Sequence, residues 1–505
     1  MTRSYWSGLA SNYLNQLTSV VINLILIPYL LRRVGSQLTG VYLVLMTVAN
    51  FVAVGIGWLA TAGVRSIATL SPTTDRESIC RVHRLIVLAF AAYSTVIVIV
   101  MIGAGSLVGS WWLVGASLET IAQARYATLI LGAYIWISYV HNADLALLAG
   151  LLRQGEANLY RSAAQILFGL TAVVLLICMP RIDLLLLAQL LATIVVAAGV
   201  RIGLRRRRII SPWEWALPDG IVARQVLLTT GGSYFLFGVA QFVLLYSDVF
   251  LIGAVLGTEA VTAYVVVWKM AEFGGLLLSR ISETLSPYLS RIEARGSIAD
   301  LRIVFLATSR LQLALAVGAG LGYAMIGPSL VALWVGPANR PSIWWLYPLC
   351  GAALIFQVVN RHDVILHFAM GRVGKLIVPH IVEVTAKIGL TVVLLPQFGI
   401  GAPLIAYVAV QLLGLTWWYR GAALKLARIT WRQWWSEVAS TGSLELGLVV
   451  ACALAIGPEA MSWSWKMTIV SGVLLTALLS LLILWHWRRV SSASLTNVVG
   501  LLSKH

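Results

Sequence analysis

The chain has 505 residues, of which 60% are hydrophobic and only 11% charged, and its formal net charge is +17. A soluble globular protein of this length does not need so large an apolar fraction, so the composition indicates a polytopic membrane protein. The lysines and arginines lie in short segments between apolar runs, as in membrane-protein loops, which points to the lipid bilayer as a partner and argues against nucleic acid.

Fourteen apolar segments are each long enough, at roughly 20 residues, to cross a bilayer as a helix. They are predicted at 6–31, 38–64, 85–108, 121–150, 159–179, 183–203, 225–254, 260–288, 303–327, 342–369, 376–396, 402–419, 436–457 and 467–487. The first continues through Pro28 without a small-residue cleavage site, so we interpret it as a spanning helix rather than a signal peptide. The fold class is therefore an all-α polytopic membrane protein.

Basic residues alternate between the two sides of this arrangement. Connections on the side of the N-terminus are rich in them, above all the run Arg205 to Arg208, whereas the opposite side carries few. The positive-inside rule then places both termini in the cytoplasm, with an even number of spans between them. Arg32 and Arg33 fall on the opposite side and do not fit this rule.

Two sets of residues recur at nearly constant offsets. The first set is Gly35, Ser36 and Tyr42, which recur as Gly257, Thr258 and Tyr264 at an offset of 222 (257 − 35). The second is Asp144, Arg153 and Gly155, which recur as Asp363, Arg372 and Gly374 at an offset of 219 (363 − 144). We predict two pseudo-symmetric six-helix lobes, with a substrate site at the interface between the repeats, as in many transporters.

The repeat sets the predicted domain boundaries. The N-terminal lobe covers 1–204, a cytoplasmic basic linker covers 205–224, and the C-terminal lobe covers 225–425. Two additional transmembrane helices and a cytoplasmic tail occupy 426–505.

Ionisable side chains in membrane segments usually face a protein interior or a wet cavity, because exposing them to lipid is costly. Lys269, Glu272, Arg280 and Glu283 share one face of a single predicted helix. Asp248, on the helix before, has no charged neighbour in the sequence and is the leading candidate for a cation or proton site. The alternative is that such charges neutralise one another inside a packed bundle.

Two later membrane segments add candidates for ion coupling. These candidates are Asp363, Glu383 and Lys387, and the last two are spaced i,i+4 as in a local ion pair. The first half carries uncharged polar residues instead, so its cavity face is predicted to be polar rather than charged. The residues of the polar cavity face, including one from the seventh span, are Asn12, Gln16, Asn23, Asn50 and Gln241.

Motifs for catalysis are missing from the sequence. The Gly374-Lys375 pair is followed by Leu376, so it is not a nucleotide-binding P-loop, and no nucleophile elbow occurs in a credible context. The four cysteines have no metal or redox spacing. We therefore expect a non-enzyme without metal or cofactor, with Na+ or H+ as a possible coupling ion.

Several short motifs resemble bacterial polysaccharide flippases of the Wzx type. In the first half they are Arg32-Arg33-Val34-Gly35, Gly40-Val41-Tyr42, Gly55-Ile56-Gly57 and Val64-Arg65. In the second half they are the run 247–253, the run 256–260 with Tyr264, and Ser286-Pro287-Tyr288 with Ser290-Arg291. The resemblance covers most of the chain and accounts for Arg32 and Arg33 as a family feature. It departs at Ala53, where the family has an acidic residue.

This resemblance implies the multidrug/oligosaccharidyl-lipid/polysaccharide exporter (MOP) fold, in which two six-helix lobes enclose a V-shaped cavity. It also implies translocation of an undecaprenyl-diphosphate-linked oligosaccharide across the bacterial inner membrane by alternating access, alongside a polysaccharide polymerase and chain-length machinery. On this basis the diphosphate and acidic sugars are assigned to Arg65, Arg280, Arg310 and Arg361. The coupling ion is assigned to Asp248, Glu272 and Glu283.

Three alternatives remain open at this point. The first is a multidrug antiporter of the same fold, which the many cationic candidates argue against. The second is a lipid II flippase. The third is a membrane polysaccharide polymerase or ligase, which usually carries a long periplasmic loop that is not visible in this sequence.

Overall fold

A computed structural model of the chain describes residues 2–68, 76–111, 117–151, 153–207, 209–210, 220, 232–294 and 296–439. All regular structure in these ranges is helical, and nine of the helical segments in them are long and apolar enough to cross a membrane. The expected all-α polytopic class is therefore confirmed. The span predicted at 436–457 leaves the described ranges after residue 439, and the span predicted at 467–487 lies entirely outside them.

The chain folds into two compact units, Met1–Thr262 and Ala263–His505. Unit 1 contains α1 (Thr2–Ala68), α2 (Arg76–Trp111), α3 (Leu118–Gly150), α4 (Gln154–Cys178), α5 (Ile182–Arg206) and α6 (Gly232–Leu256). The next helix, α7 (Thr258–Ala294), begins in unit 1 and continues into unit 2. The predicted lobe boundaries, which follow the sequence repeat, stay a prediction.

Unit 2 continues with α8 (Ile298–Val335), α9 (Leu346–Ala369), α10 (Ile377–Phe398), α11 (Ala402–Val410), α12 (Thr416–Ala427) and α13 (Trp431–Trp434). A π-helical segment, Gln411–Leu415, joins α11 to α12, so the three form one uninterrupted helical stretch. A second π-helical segment, Trp435–Ala439, follows α13. Short 3-10 turns at Pro337–Asn339, Val373–Leu376 and Gly399–Gly401 complete the described connections.

The first two predicted spans lie within α1, which is interrupted at Gly35. This residue has φ 83° and ψ 175°, a backbone conformation that only glycine adopts readily. Gly257, its counterpart in the repeat, has φ 85° and separates α6 from α7. The same glycine therefore ends the first helix in both copies of the repeat, which explains why the two sequence motifs are alike.

The segments that follow these two glycines cross in close contact within unit 1. Thr262 donates its hydroxyl hydrogen bond to the carbonyl of Ser36 at 2.7 Å. A Cβ on Gly40 would lie 1.9 Å from the Thr258 carbonyl oxygen. Ser36 and Gly40 are the repeat counterparts of Thr258 and Thr262, so the two contacts are related by the repeat. Small residues at such a crossing let helix backbones approach closely inside a membrane.

Each unit has its own apolar core. In unit 1 the most enclosed side chains include Leu30, Leu45, Phe90 and Leu131, drawn from α1, α2 and α3. In unit 2 a cluster around Phe305, Leu366 and Leu424 joins α8, α9 and α12. Since lipid is as apolar as these side chains, van der Waals packing rather than removal from water holds such helices together.

The crossing at Gly40 gives the first testable prediction. Gly40→Ala should destabilise the protein by about 1–3 kcal/mol, because the added methyl group collides with a backbone carbonyl that cannot move aside cheaply. The melting temperature of the purified full-length protein measures this. Gly389→Ala is the matched control, since its Cβ would meet open space. Equal melting temperatures for the two variants would contradict the crossing.

Candidate functional site

A buried carboxylate pairs with an arginine in both units. In unit 1, Asp144 Oδ1 lies 2.9 Å from His83 Nε2, and its Oδ2 lies 4.0 Å from Arg201 Nη1. In unit 2, Asp363 Oδ2 lies 3.0 Å from Arg420 Nε. Both spacings equal 219 residues (363 − 144 and 420 − 201), so the whole pair is duplicated. Asp363 was predicted as an ion-coupling residue, but its arginine partner was not.

The pair in unit 2 is the more enclosed of the two. Arg420 is 3% exposed and Asp363 is fully buried. The Arg420 guanidinium also lies 3.5 Å from Ser309 Oγ and stacks on Trp434 at 4.8 Å from the ring centroid. A carboxylate this deeply buried and already matched by a guanidinium is a structural ion pair first, because breaking such a pair strands a charge away from water.

An arginine cluster joins α7 to α9 in unit 2. Arg280 Nη1 lies 2.5 Å from Glu283 Oε2, and Arg361 Nη2 donates to Glu283 Oε1 at 2.8 Å. All three side chains are half-buried. Two guanidiniums on one carboxylate leave a net charge of about +1, which suits an anion. It also makes Glu283 a poor site for the coupling cation assigned to it, since two positive charges already flank its carboxylate.

The other two members of the charged face of α7 pair with each other. Lys269 Nζ lies 2.9 Å from Glu272 Oε2, one helical turn apart, and both are half-buried. Lys269 also lies 5.5 Å from the centroid of the Phe273 ring. The charged face of α7 therefore consists of two i,i+3 pairs. Within the described ranges, a further cation, Arg361, contacts the Arg280–Glu283 pair.

Another buried carboxylate, Glu383 on α10, lies at the centre of a hydrogen-bond network. Tyr419 donates its hydroxyl to Glu383 Oε2 at 2.6 Å, and His380 Nδ1 lies 2.9 Å from the same oxygen. The Gln411 amide donates to the other carboxylate oxygen. Glu383 is 2% exposed, so these bonds replace the water that a carboxylate otherwise requires.

The π-helical segment that begins at Gln411 places this amide in the network. The Gln411 side-chain oxygen accepts hydrogen bonds from Asn360 Nδ2 at 2.9 Å and from Thr416 Oγ1 at 3.1 Å. Single π-helical turns inside α-helices occur frequently at functional sites. Nearby on α10, the buried Thr391 hydroxyl has no hydrogen-bond partner among the described residues. Lys387 Nζ lies 5.8 Å above the Tyr407 ring.

The remaining candidates lie apart from these clusters. Arg310 pairs with Glu437 at 2.7 Å instead of joining the arginines of α7 and α9. Asp248 is buried in α6 of unit 1. Among the polar-face residues, Gln16, Asn23 and Gln241 are half-buried and Asn50 is exposed, and the Asn23 amide bonds the Ser19 carbonyl of its own helix. The side chains of Asn12 and Arg65 are outside the described part of the chain.

The chain resembles known structures, although comparisons of its sequence find no match. No protein-family model and no curated protein matches it. It is similar to an inward-facing multidrug resistance MATE family transporter of the MOP superfamily, with a TM-score of 0.64, 15% identity, and coverage of 81% of this chain and 96% of that chain. It is also similar to the lipid II flippase MurJ in an inward closed conformation, with a TM-score of 0.68, 12% identity, and coverage of 95% and 99%.

A third solved structure, a MOP superfamily transporter from Pyrococcus furiosus, has a TM-score of 0.57 and 14% identity, with coverage of 85% of this chain and 96% of that chain. At such low identity these likenesses establish the fold alone. The chain therefore has the MATE- and MurJ-like fold of MOP-superfamily transporters that its sequence led us to expect, and its structural neighbours are transporters rather than enzymes.

The duplicated ion pair gives the second prediction. Arg420→Leu should cost about 3–5 kcal/mol of stability, because Asp363 is left charged and buried without its partner. Arg420→Leu combined with Asp363→Asn should recover much of this loss, since the stranded charge is removed. Melting temperatures of the two variants decide the point. A double variant that is no more stable than the single one would show that Asp363 does not depend on Arg420.

Proposed function

We propose that this protein is a flippase that carries a lipid-linked oligosaccharide, joined to its polyprenyl chain by a diphosphate, across the bacterial cytoplasmic membrane by alternating access. The observation that carries this proposal is the cluster of Arg280, Glu283 and Arg361. Its cargo would be a repeat unit of O-antigen or exopolysaccharide. A polymerase and its chain-length machinery would use the product on the outer leaflet.

The cluster has the chemistry of a diphosphate receptor. Guanidinium groups bind phosphate oxygens through paired N–H donors, and they do so more strongly when water is partly excluded. Arg280 and Arg361 are half-buried and converge on one point from two helices, α7 and α9. Without cargo, the Glu283 carboxylate occupies this point and keeps the two cations paired.

Arrival of a diphosphate would exchange one anion for another at this point. The two arginines would release Glu283 and bind phosphate oxygens, and Glu283 would reclaim them when the cargo leaves. An internal counter-ion of this kind prevents the cargo from binding too tightly to be released, which a transporter requires. It also disfavours the multidrug antiporter alternative, because an organic cation would meet two guanidiniums around a single carboxylate.

We further propose that transport is coupled to a cation or a proton at Glu383. The carboxylate is buried, and three polar side chains from two other segments of unit 2 and its own helix converge on it. A monovalent cation or a proton would replace part of this network, and its binding would change how α10 packs on the π-helical segment that carries Gln411. Asp248, which is also buried, is a second candidate for coupling.

The arginine cluster is tested by complementation of a flippase-deficient strain. We expect Arg280→Gln together with Arg361→Gln to reduce surface polysaccharide at least about tenfold, because the loss of two charge-assisted contacts to phosphate costs more than one factor of ten. The corresponding lysine variants should be intermediate, since they keep the charge and lose the paired donors. The matched control is Arg372→Gln with Lys375→Gln, which removes two exposed cations of unit 2.

Normal surface polysaccharide in the Arg280/Arg361 double glutamine variant would contradict the proposed diphosphate site, provided that the variant is present in the membrane. Glu283→Gln tests the exchange itself. Without a competing carboxylate, purified protein should bind a polyprenyl diphosphate more tightly than wild type and release it more slowly. Assaying lipid II beside the oligosaccharide lipid identifies which cargo is carried.

Coupling at Glu383 is tested in proteoliposomes that contain the lipid-linked oligosaccharide. Imposed Na+ and pH gradients should each be compared, and the gradient that drives flipping in the wild type should have little effect on Glu383→Gln, because the amide carries no charge to bind a cation or proton. Glu293→Gln, at an exposed position of α7, is the control. Gradient-driven flipping that persists in Glu383→Gln would remove Glu383 from the coupling mechanism.

A further inference from the structure

Four indole rings of unit 2 contact one another, one from the start of α12 and three from the residues just after its end. Trp417 and Trp435 have ring centroids 6.2 Å apart, and Trp417 and Trp431 lie at 6.3 Å. Trp434 joins them, at 5.2 Å from Trp435 and 6.0 Å from Trp431. We call Trp417, Trp431, Trp434 and Trp435 the tryptophan platform.

A tight reversal of the chain brings these rings together. Arg428 ends α12 in the left-handed conformation, with φ 52°, and its carbonyl accepts a hydrogen bond from the Arg302 side chain on α8. Thr430 then caps α13 through its hydroxyl, which accepts from the Gln433 amide at 3.2 Å. The Arg310–Glu437 ion pair fixes the next turn to α8. The platform is therefore a built surface rather than a loose end.

The rings of the platform are partly exposed, and the sequence next to them is basic. Trp417, Trp431 and Trp435 are 42%, 40% and 50% exposed, whereas Trp434 is buried beneath them. Three cations in the same stretch are exposed, namely Lys425, Arg428 and Arg432. Glu437, the acidic residue of this stretch, is already paired with Arg310. The exposed surface therefore combines apolar rings with unbalanced positive charge.

The position of the platform along the chain identifies what it faces. The membrane-capable segment Val373–Ala427 contains Trp417 and ends four residues before Trp431, so the rings lie beside the last turns of a spanning segment and Lys425 and Arg428 lie at its end. Indole rings favour the headgroup level of a bilayer, with the ring in the apolar boundary and its N–H toward water. Exposed lysine and arginine at the same level attract anionic lipid.

We propose that the tryptophan platform and its three cations form a binding site for the phosphate headgroup of an anionic phospholipid in the leaflet where α12 ends. Arg428 and Arg432 would hold the phosphate oxygens, with Lys425 nearby, and the half-exposed rings would pack on the glycerol backbone and the first part of the acyl chains. This site is separate from the arginines of α7 and α9 and does not depend on the transport proposal.

The site also touches the buried interior. Trp434, the buried ring of the platform, lies against the Arg420 guanidinium, which in turn pairs with Asp363. A lipid that fixes the outer rings would therefore hold Trp434 in place under Arg420. The exposed rings contact Trp434, and Trp434 contacts Arg420, so two contacts connect the proposed lipid site to the buried Asp363–Arg420 pair.

The test uses the full-length protein in nanodiscs of zwitterionic lipid that contain a minority of phosphatidylglycerol with a photoreactive headgroup. After illumination, we expect cross-links to concentrate on the peptide 425–436. Lys425→Gln with Arg432→Gln should reduce this labelling roughly tenfold or more, because each cation contributes separately to anionic-lipid binding. High salt should reduce the labelling of the wild type as well. Both residues are exposed, so the variant should keep the wild-type melting temperature.

Two controls make the result decisive. Arg372→Gln with Lys375→Gln removes the same charge from another exposed connection and should leave labelling of 425–436 unchanged. Trp435→Leu retains all three cations and should also weaken labelling, because the ring surface is smaller. Labelling of 425–436 that is equally strong with a neutral photoreactive headgroup, or that is unaffected by the Lys425/Arg432 variant, would overturn the site and leave only non-specific lipid contact.

Discussion

The need to match every charge that is withdrawn from water governs unit 2. A carboxylate or guanidinium inside an apolar bundle is tolerated only when a partner of opposite charge or several hydrogen bonds replace its hydration. Asp363 meets this need with Arg420, and Glu383 meets it with Tyr419, His380 and Gln411. Most of these partners come from other helical segments, so each match also fixes how helices pack. Charge pairing is thus part of the fold as well as a candidate for function.

The two units meet this constraint differently at equivalent positions of the sequence repeat. Both keep an Asp–Arg pair at the same repeat position, but in unit 1 the distance is 4.0 Å and His83 is the closer partner of Asp144. In unit 2 the pair closes to 3.0 Å and Arg420 is covered by Trp434. The same repeat contact is loose and shared in one copy, and tight and enclosed in the other.

The fold class can be predicted from the sequence, whereas the partners of the charged side chains cannot. Hydropathy predicts membrane-spanning helices, and nine helices of the described ranges are long and apolar enough to be such spans. The recurrence of Gly35 as Gly257 reflects a real backbone requirement, since both have positive φ. Local i,i+3 spacing also foretells the Lys269–Glu272 contact. Contacts such as Arg361 with Glu283, 78 residues apart, depend on how helices pack, which periodicity does not encode. Arg420 is an exception. The offset of 219 (420 − 201) relates it to Arg201, just as it relates Asp363 to Asp144, so the repeat marks both arginines as candidate partners.

The balance of charge then separates structural pairs from a site that can accept a ligand. In unit 2, Lys269 is matched by Glu272, Arg310 by Glu437 and Arg420 by Asp363, so each of these pairs is neutral in itself. Glu283, by contrast, is shared between two guanidiniums. A neutral pair gains nothing from a further ion, whereas one carboxylate shared by two guanidiniums does not by itself balance both of their charges. This shared carboxylate, where α7 and α9 meet, is therefore the place for which we propose an anionic ligand.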